Sequence, residues 1–89
     1  MNSQLTPDFL ACFAELPEAV KEQARRCYQL WRDNPAHPSL HFKRIHGQEN
    51  VYSVRIGLGW RALGLLKGDT ISWFWIGSHA DYDTLVASL

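Results

Sequence analysis

Apolar positions fall into two regimes along this chain, and the change between them sets the expected architecture. In the first, Phe9, Leu10, Phe13 and Leu16 return at three- and four-residue intervals, the period of one helix face. Thr6 and Pro7 precede them. A threonine N-cap followed by a first-turn proline predicts that the helix starts there. Pro17 breaks the pattern and restarts it. Ala19/Val20, Ala24, Cys27/Tyr28 and Trp31 then form a second stripe, with Glu18, Glu22, Arg25 and Arg26 mostly off it. Asn34-Pro35 ends this longer helix, because a residue before proline is steered out of the α region. The NPAHPS run reads as a loop.

From Leu40 onward the period is two. Leu40, Phe42 and Ile45 mark a first strand. Tyr52, Val54 and Ile56 alternate with Ser53 and Arg55 in a second. Trp60 to Leu66 forms a third, and Ile71 to Ile76, dense in aromatics, a fourth expected to be covered on both faces. Gly57-Leu58-Gly59 and Lys67-Gly68-Asp69 supply tight turns. Ser78 caps a final helix from His79 to about Ser88. The order ααββββα predicts an α+β fold with two N-terminal helices, a four-stranded antiparallel sheet and a short C-terminal helix. Strands joined by tight turns form a meander, and the helices are expected on one face of it.

A chain of 89 residues is expected to form one domain over residues 1–89, with a modest core fed by four Trp, four Phe and three Tyr. No apolar run is long enough to cross a bilayer. MNSQLTPDF lacks the basic and apolar regions of a signal peptide. Cys12 and Cys27 fall in predicted helices without metal-ligand spacing, and read as reduced thiols of a cytoplasmic protein. His37, His41, His46 and His79 are scattered, so neither a metal nor another cofactor is expected.

Net charge is zero, but it is unevenly spread. Residues 40–67 carry Lys43, Arg44, Arg55, Arg61 and Lys67 against Glu49 alone, a local balance of +4. The flanks carry −1 before it and −3 after it. Local potential governs association with phosphate more than total charge does.

Three clusters carry candidate chemistry. If Gly57–Gly59 is a three-residue loop, Arg55 lies opposite Arg61 on one face. Like charges so placed destabilise a sheet unless an anion joins them, and arginine suits phosphate. A two-residue loop would put them on opposite faces. Lys43 and Arg44 alternate, so only one shares the arginine face of a regular strand; either, with His46, is a candidate for positioning a nucleic-acid backbone. His79 opens the last helix, where backbone N–H groups favour an anion, and Tyr82 lies one turn on. His79 suits proton transfer. Asp81 can cap the helix or orient His79. Trp73 and Trp75 share a strand face and can stack bases, although core packing is the expected role.

The runs NPAHPSLHFKRIHG, VYSVRIGLGWRALG and ISWFWIGSHADYDTL, in that order, resemble the RelE/ParE toxin superfamily of bacterial type II toxin–antitoxin pairs, most closely its ParE-like branch. The resemblance spans about Thr6 to Leu85. It implies a sheet with two N-terminal helices and a cognate antitoxin that wraps it. RelE-like members cut mRNA, commonly on the ribosome, by polarising a 2′-hydroxyl for attack on the neighbouring phosphate, and use no metal. ParE-like members inhibit DNA gyrase instead. By position, Arg55 and Arg61 correspond to the family's phosphate-binding arginines. His79 and Tyr82 fall where nuclease members keep acid/base and base-stacking residues. The expectation is a metal-independent endoribonuclease (an mRNA interferase) with Arg55, Arg61, His79 and Tyr82 catalytic and Lys43, Arg44 and His46 binding RNA. The alternatives are a gyrase inhibitor without chemistry, or a degenerate binding module of the same fold.

Overall fold

Pro7–Ala14 (α1) and Glu18–Asp33 (α2) form helices where the apolar period requires them, in a computed structural model that describes residues 1–89. Thr6 caps α1 as expected: its Oγ1 accepts the Phe9 N–H at 3.1 Å. Pro17 enters α2 without a side-chain cap, and the Asn34 N–H closes it on Leu30 O. A short 3-10 turn, Pro38–Leu40, follows. The sheet contains Asn2–Leu5 (β1), Lys43–Arg44 (β2), Val51–Ile56 (β3), Trp60–Lys67 (β4) and Thr70–Ser78 (β5), and His79–Ala87 (α3) ends the fold.

Several expectations need correction. The sheet is five-stranded and mixed, in the order β1-β5-β4-β3-β2. The additional strand is the N-terminal segment, which runs parallel to β5 from Asn2↔Thr70 to Leu5↔Trp73. Its residues are mostly polar and largely exposed, with Leu5 the single apolar one, so no periodicity announces it. It is held by backbone bonds such as Asn2 N–H to Asp69 O (2.8 Å) and by Gln4 Nε2 donating to Ser72 Oγ (2.7 Å). At the opposite edge the expected first strand shrinks to Lys43–Arg44, with Leu40 in the 3-10 turn.

The second correction concerns the helices. Val54, Ile56, Ala62, Ile71, Trp73 and Ile76 face α1 and α2 and form the core with Phe9, Leu16, Val20, Ala24, Trp31 and Leu40. Trp31 is its centre, 1% exposed and edge-on to both Phe42 and Trp73. Perpendicular aromatic pairs place a positive ring edge against a negative face. The residues of opposite parity, Ser53, Arg55, Arg61, Leu63 and Trp75, look the other way. There α3 covers one end of the sheet through Tyr82. The helices therefore lie on both faces.

A bulge decides which tryptophan goes where. Leu63 pairs with Trp75 but Gly64 pairs with Trp73, so Phe74 is the extra residue and the two tryptophans exchange parity. Trp73 is buried in the core, whereas Trp75 lies on the second face; the expected shared face does not exist.

Candidate functional site

The β3–β4 hairpin has the three-residue loop. Ile56 pairs with Trp60 and Arg55 with Arg61, so the arginines stand opposite each other on the second face. Gly57 makes this loop possible with a φ of 62°, a region that costs other residues. Lys43 pairs with Ser53 and joins the arginine face; Arg44 pairs with Tyr52 and leaves it. His46 lies beyond β2, exposed.

The two arginines share a face but not their partners. The Arg55 Nε donates to Gly57 O at 3.0 Å, and its Nη1 lies 3.4 Å from His41 Nε2. Arg61 turns the other way, with its guanidinium 5.8 Å from the centre of the Tyr82 ring. Its Nη1 is shut off from water and has no hydrogen-bond acceptor. A buried cationic N–H without an acceptor is costly, and the Tyr82 ring offsets part of that cost as a cation–π partner.

Tyr82 is the hub. Its ring lies 6.5 Å from Trp75 and 6.1 Å from His79. Gly77, opposite Arg61, lets Trp75 fold close to the backbone: a Cβ there would sit 2.6 Å from Trp75 Cζ2. The start of α3 is fixed twice, by Ser78 Oγ accepting the Asp81 N–H (3.1 Å) and by the His79 N–H donating to Gly59 O (2.8 Å). The second bond ties α3 to the arginine hairpin.

His79 Nδ1 lies 3.2 Å from Asp83 Oδ2, one helical turn on. The two are placed to form an ion pair when the imidazole is protonated, without the alignment of a hydrogen bond. Asp83, not Asp81, is thus the carboxylate that lies beside His79.

The site therefore gathers Arg61, His79 and Tyr82, with Asp83 as a residue that sequence reasoning missed and Trp75 as one it placed on the wrong face. Asp83 was open to the i,i+4 rule applied to His79. Trp75 was hidden by the bulge. Arg55 and Lys43 lie on the same face beside this group, while Arg44 and His46 lie off it. No three His, Cys, Asp or Glu side chains converge as a metal-binding group.

The fold and this face define a small α+β toxin domain. The ParE-like toxin domain family matches residues 18–84, and the chain belongs to that family. Solved structures agree on the fold. The RelB–RelE antitoxin–toxin complex of Methanococcus jannaschii superposes with a TM-score of 0.72 at 20% identity, covering 90% of this chain and 95% of that one. YafQ from E. coli strain BL21(DE3) gives 0.72 at 10%, covering 91% and 96%. A YoeB/ParE toxin from Agrobacterium tumefaciens gives 0.69 at 13%, covering 89% and 99%. No curated protein matches the sequence.

Proposed function

We propose that this protein is the toxin of a type II toxin–antitoxin pair and that it acts as an endoribonuclease on mRNA. The observation that carries the reading is the Arg61 guanidinium held over Tyr82, beside a histidine with Asp83 at ion-pair distance. The arrangement matches what RNA transesterification requires. The 2′-oxygen attacks the adjacent phosphorus, the bond to the 5′-oxygen breaks, and a cyclic phosphate and a free 5′-hydroxyl result. His79 Nε2 accepts the 2′-hydroxyl proton, and a proton reaches the leaving 5′-oxygen from Tyr82 or water. Arg61 binds the scissile phosphate and stabilises the charge that grows on it. A preorganised, partly desolvated cation does this better than a hydrated one. Trp75 and Tyr82 offer aromatic surface to a base. None of these steps calls on a metal.

A cognate antitoxin is the expected protein partner. Three structural relatives are complexes of RelB with RelE, from Methanococcus jannaschii, Pyrococcus horikoshii and E. coli. A gyrase inhibitor of the same fold is the second reading, favoured by the zero net charge, which is unlike a strong nucleic-acid binder.

Mapping mRNA ends after induction tests the proposal. New 5′-hydroxyl ends that disappear in Arg61→Ala and His79→Ala support it. Intact mRNA with DNA-damage signalling supports gyrase instead, and growth arrest that persists in both variants overturns the nuclease.

A further inference from the structure

We infer that Gln23 of α2 is a positioning residue: it braces the Gly57–Gly59 loop, and through that loop it sets the place of His79 relative to the arginine hairpin. The inference rests on the nuclease reading for its kinetic consequence and on independent geometry for the brace itself.

The loop has little to anchor it from within. Leu58 is 84% exposed, and Gly59 is exposed. Gly57, at a φ of 62°, has no side chain to fix it. A loop with glycine at both ends needs an external stop, and α2 supplies one. A Cβ on Gly57 would lie 2.8 Å from both Cδ and Oε1 of Gln23, with Nε2 nearer still. All three amide atoms crowd one point, so the carboxamide lies flat against the glycine. The contact is one of shape: Gln23 fills the space that any other residue at position 57 would need.

Cys27, one helical turn along α2, meets the same backbone. Burial raises its thiol pKa, and a hydrogen bond with the Gly57 backbone opposes that rise. Gln23, Cys27 and Gly57 also share the wall of one shallow recess. Two consecutive turns of α2 are therefore seated on a single loop residue.

What the loop holds gives the brace its consequence. Gly57 O accepts the Arg55 Nε–H at 3.0 Å. Gly59 O accepts the His79 N–H at 2.8 Å, the bond that ties α3 to the hairpin. The length of the loop also sets the register that opposes Arg55 to Arg61. A loop that slides on α2 thus carries the start of α3 with it, and the distance between His79 and Arg61 changes. Misplacement of a reacting group by about 1 Å can cost 10²-fold in rate.

The test uses the full chain with Gln23→Ala, which removes the brace and keeps a strong helix former, and Gln23→Met, which restores length without the amide. Amide hydrogen exchange is the first readout. The His79 N–H is expected to exchange about tenfold faster in Gln23→Ala, through local opening. It is expected to exchange at the parent rate in Gln23→Met. The Asp81 N–H, bonded to Ser78 Oγ within the same helix start, is expected to keep its rate in both. On RNA, Gln23→Ala is expected to lower kcat about tenfold with KM within about twofold, the pattern of a contribution made in the transition state. Gln23→Met is expected to recover kcat, and melting temperatures to match the parent's in both variants. A His79 exchange rate equal in all three proteins overturns the brace, as does an Asp81 rate that rises with it. A kcat at the parent value while His79 exchange quickens overturns the positioning role. Should the parent cut no RNA, the nuclease reading fails while the exchange rates still decide the brace, so the two failures are distinguishable.

Discussion

Arg61 keeps one guanidinium nitrogen dry and unpaired, an arrangement that stability alone does not favour. Arg61→Ala is therefore expected to cut RNA cleavage by about 10²–10³-fold, the loss of one preorganised charge-stabilising donor. Its folding free energy is expected to change by less than about 1 kcal/mol, because relief of the dry nitrogen offsets the lost contact with Tyr82. Cleavage assays beside urea melts check both. Asp83→Asn is expected to lower kcat less than His79→Ala does, with little change in melting, since an exposed pair contributes at most about 1 kcal/mol. Cys27 offers a pH test. Burial raises its thiol pKa, against opposing effects of the Gly57 backbone and Arg26. The unfolded chain thus loses this proton first, so stability is expected to fall as pH rises past the ordinary thiol value. Cys27→Ala is expected to flatten that alkaline decline in urea titrations. At this scale the sequence revealed residue types better than partners. His79 and Tyr82 were legible from helical spacing, whereas the approach of His41 to Arg55 depends on a left-handed turn that no pattern encodes.

The helices were legible because their apolar stripes and caps are local signals. Thr6→Ala is expected to cost about 1 kcal/mol, the usual loss of an N-cap, measurable by chemical denaturation. The strands were legible where one face is buried, as in β3, and the Gly-Leu-Gly loop carried the arginine register. The Phe74 bulge was not legible: an inserted residue leaves an aromatic run looking continuous, yet it sends Trp73 into the core and Trp75 toward Tyr82. Gly77→Ala tests that packing. The added methyl must displace the Trp75 ring, at an expected cost of about 1–3 kcal/mol. Activity is expected to fall through misplacement of Tyr82. Near-UV circular dichroism and cleavage assays check the two effects.

At the scale of the molecule, β1 was the part least open to prediction, because its hold on the sheet is through backbone bonds and not side-chain burial. The charge pattern was legible from residue order alone: the basic stretch of residues 40–67 supplies β2 to β4 and the acidic residues lie on its flanks. The pairing of β1 with β5 also has a consequence for synthesis. Asn2 is made 68 residues before its partner Thr70. Until then the first segment has no strand to join, and β5, which leads into α3, does not yet exist. Contacts so distant in sequence form late. The face that carries Arg61, His79 and Tyr82 is thus completed only once β5 and α3 have been made.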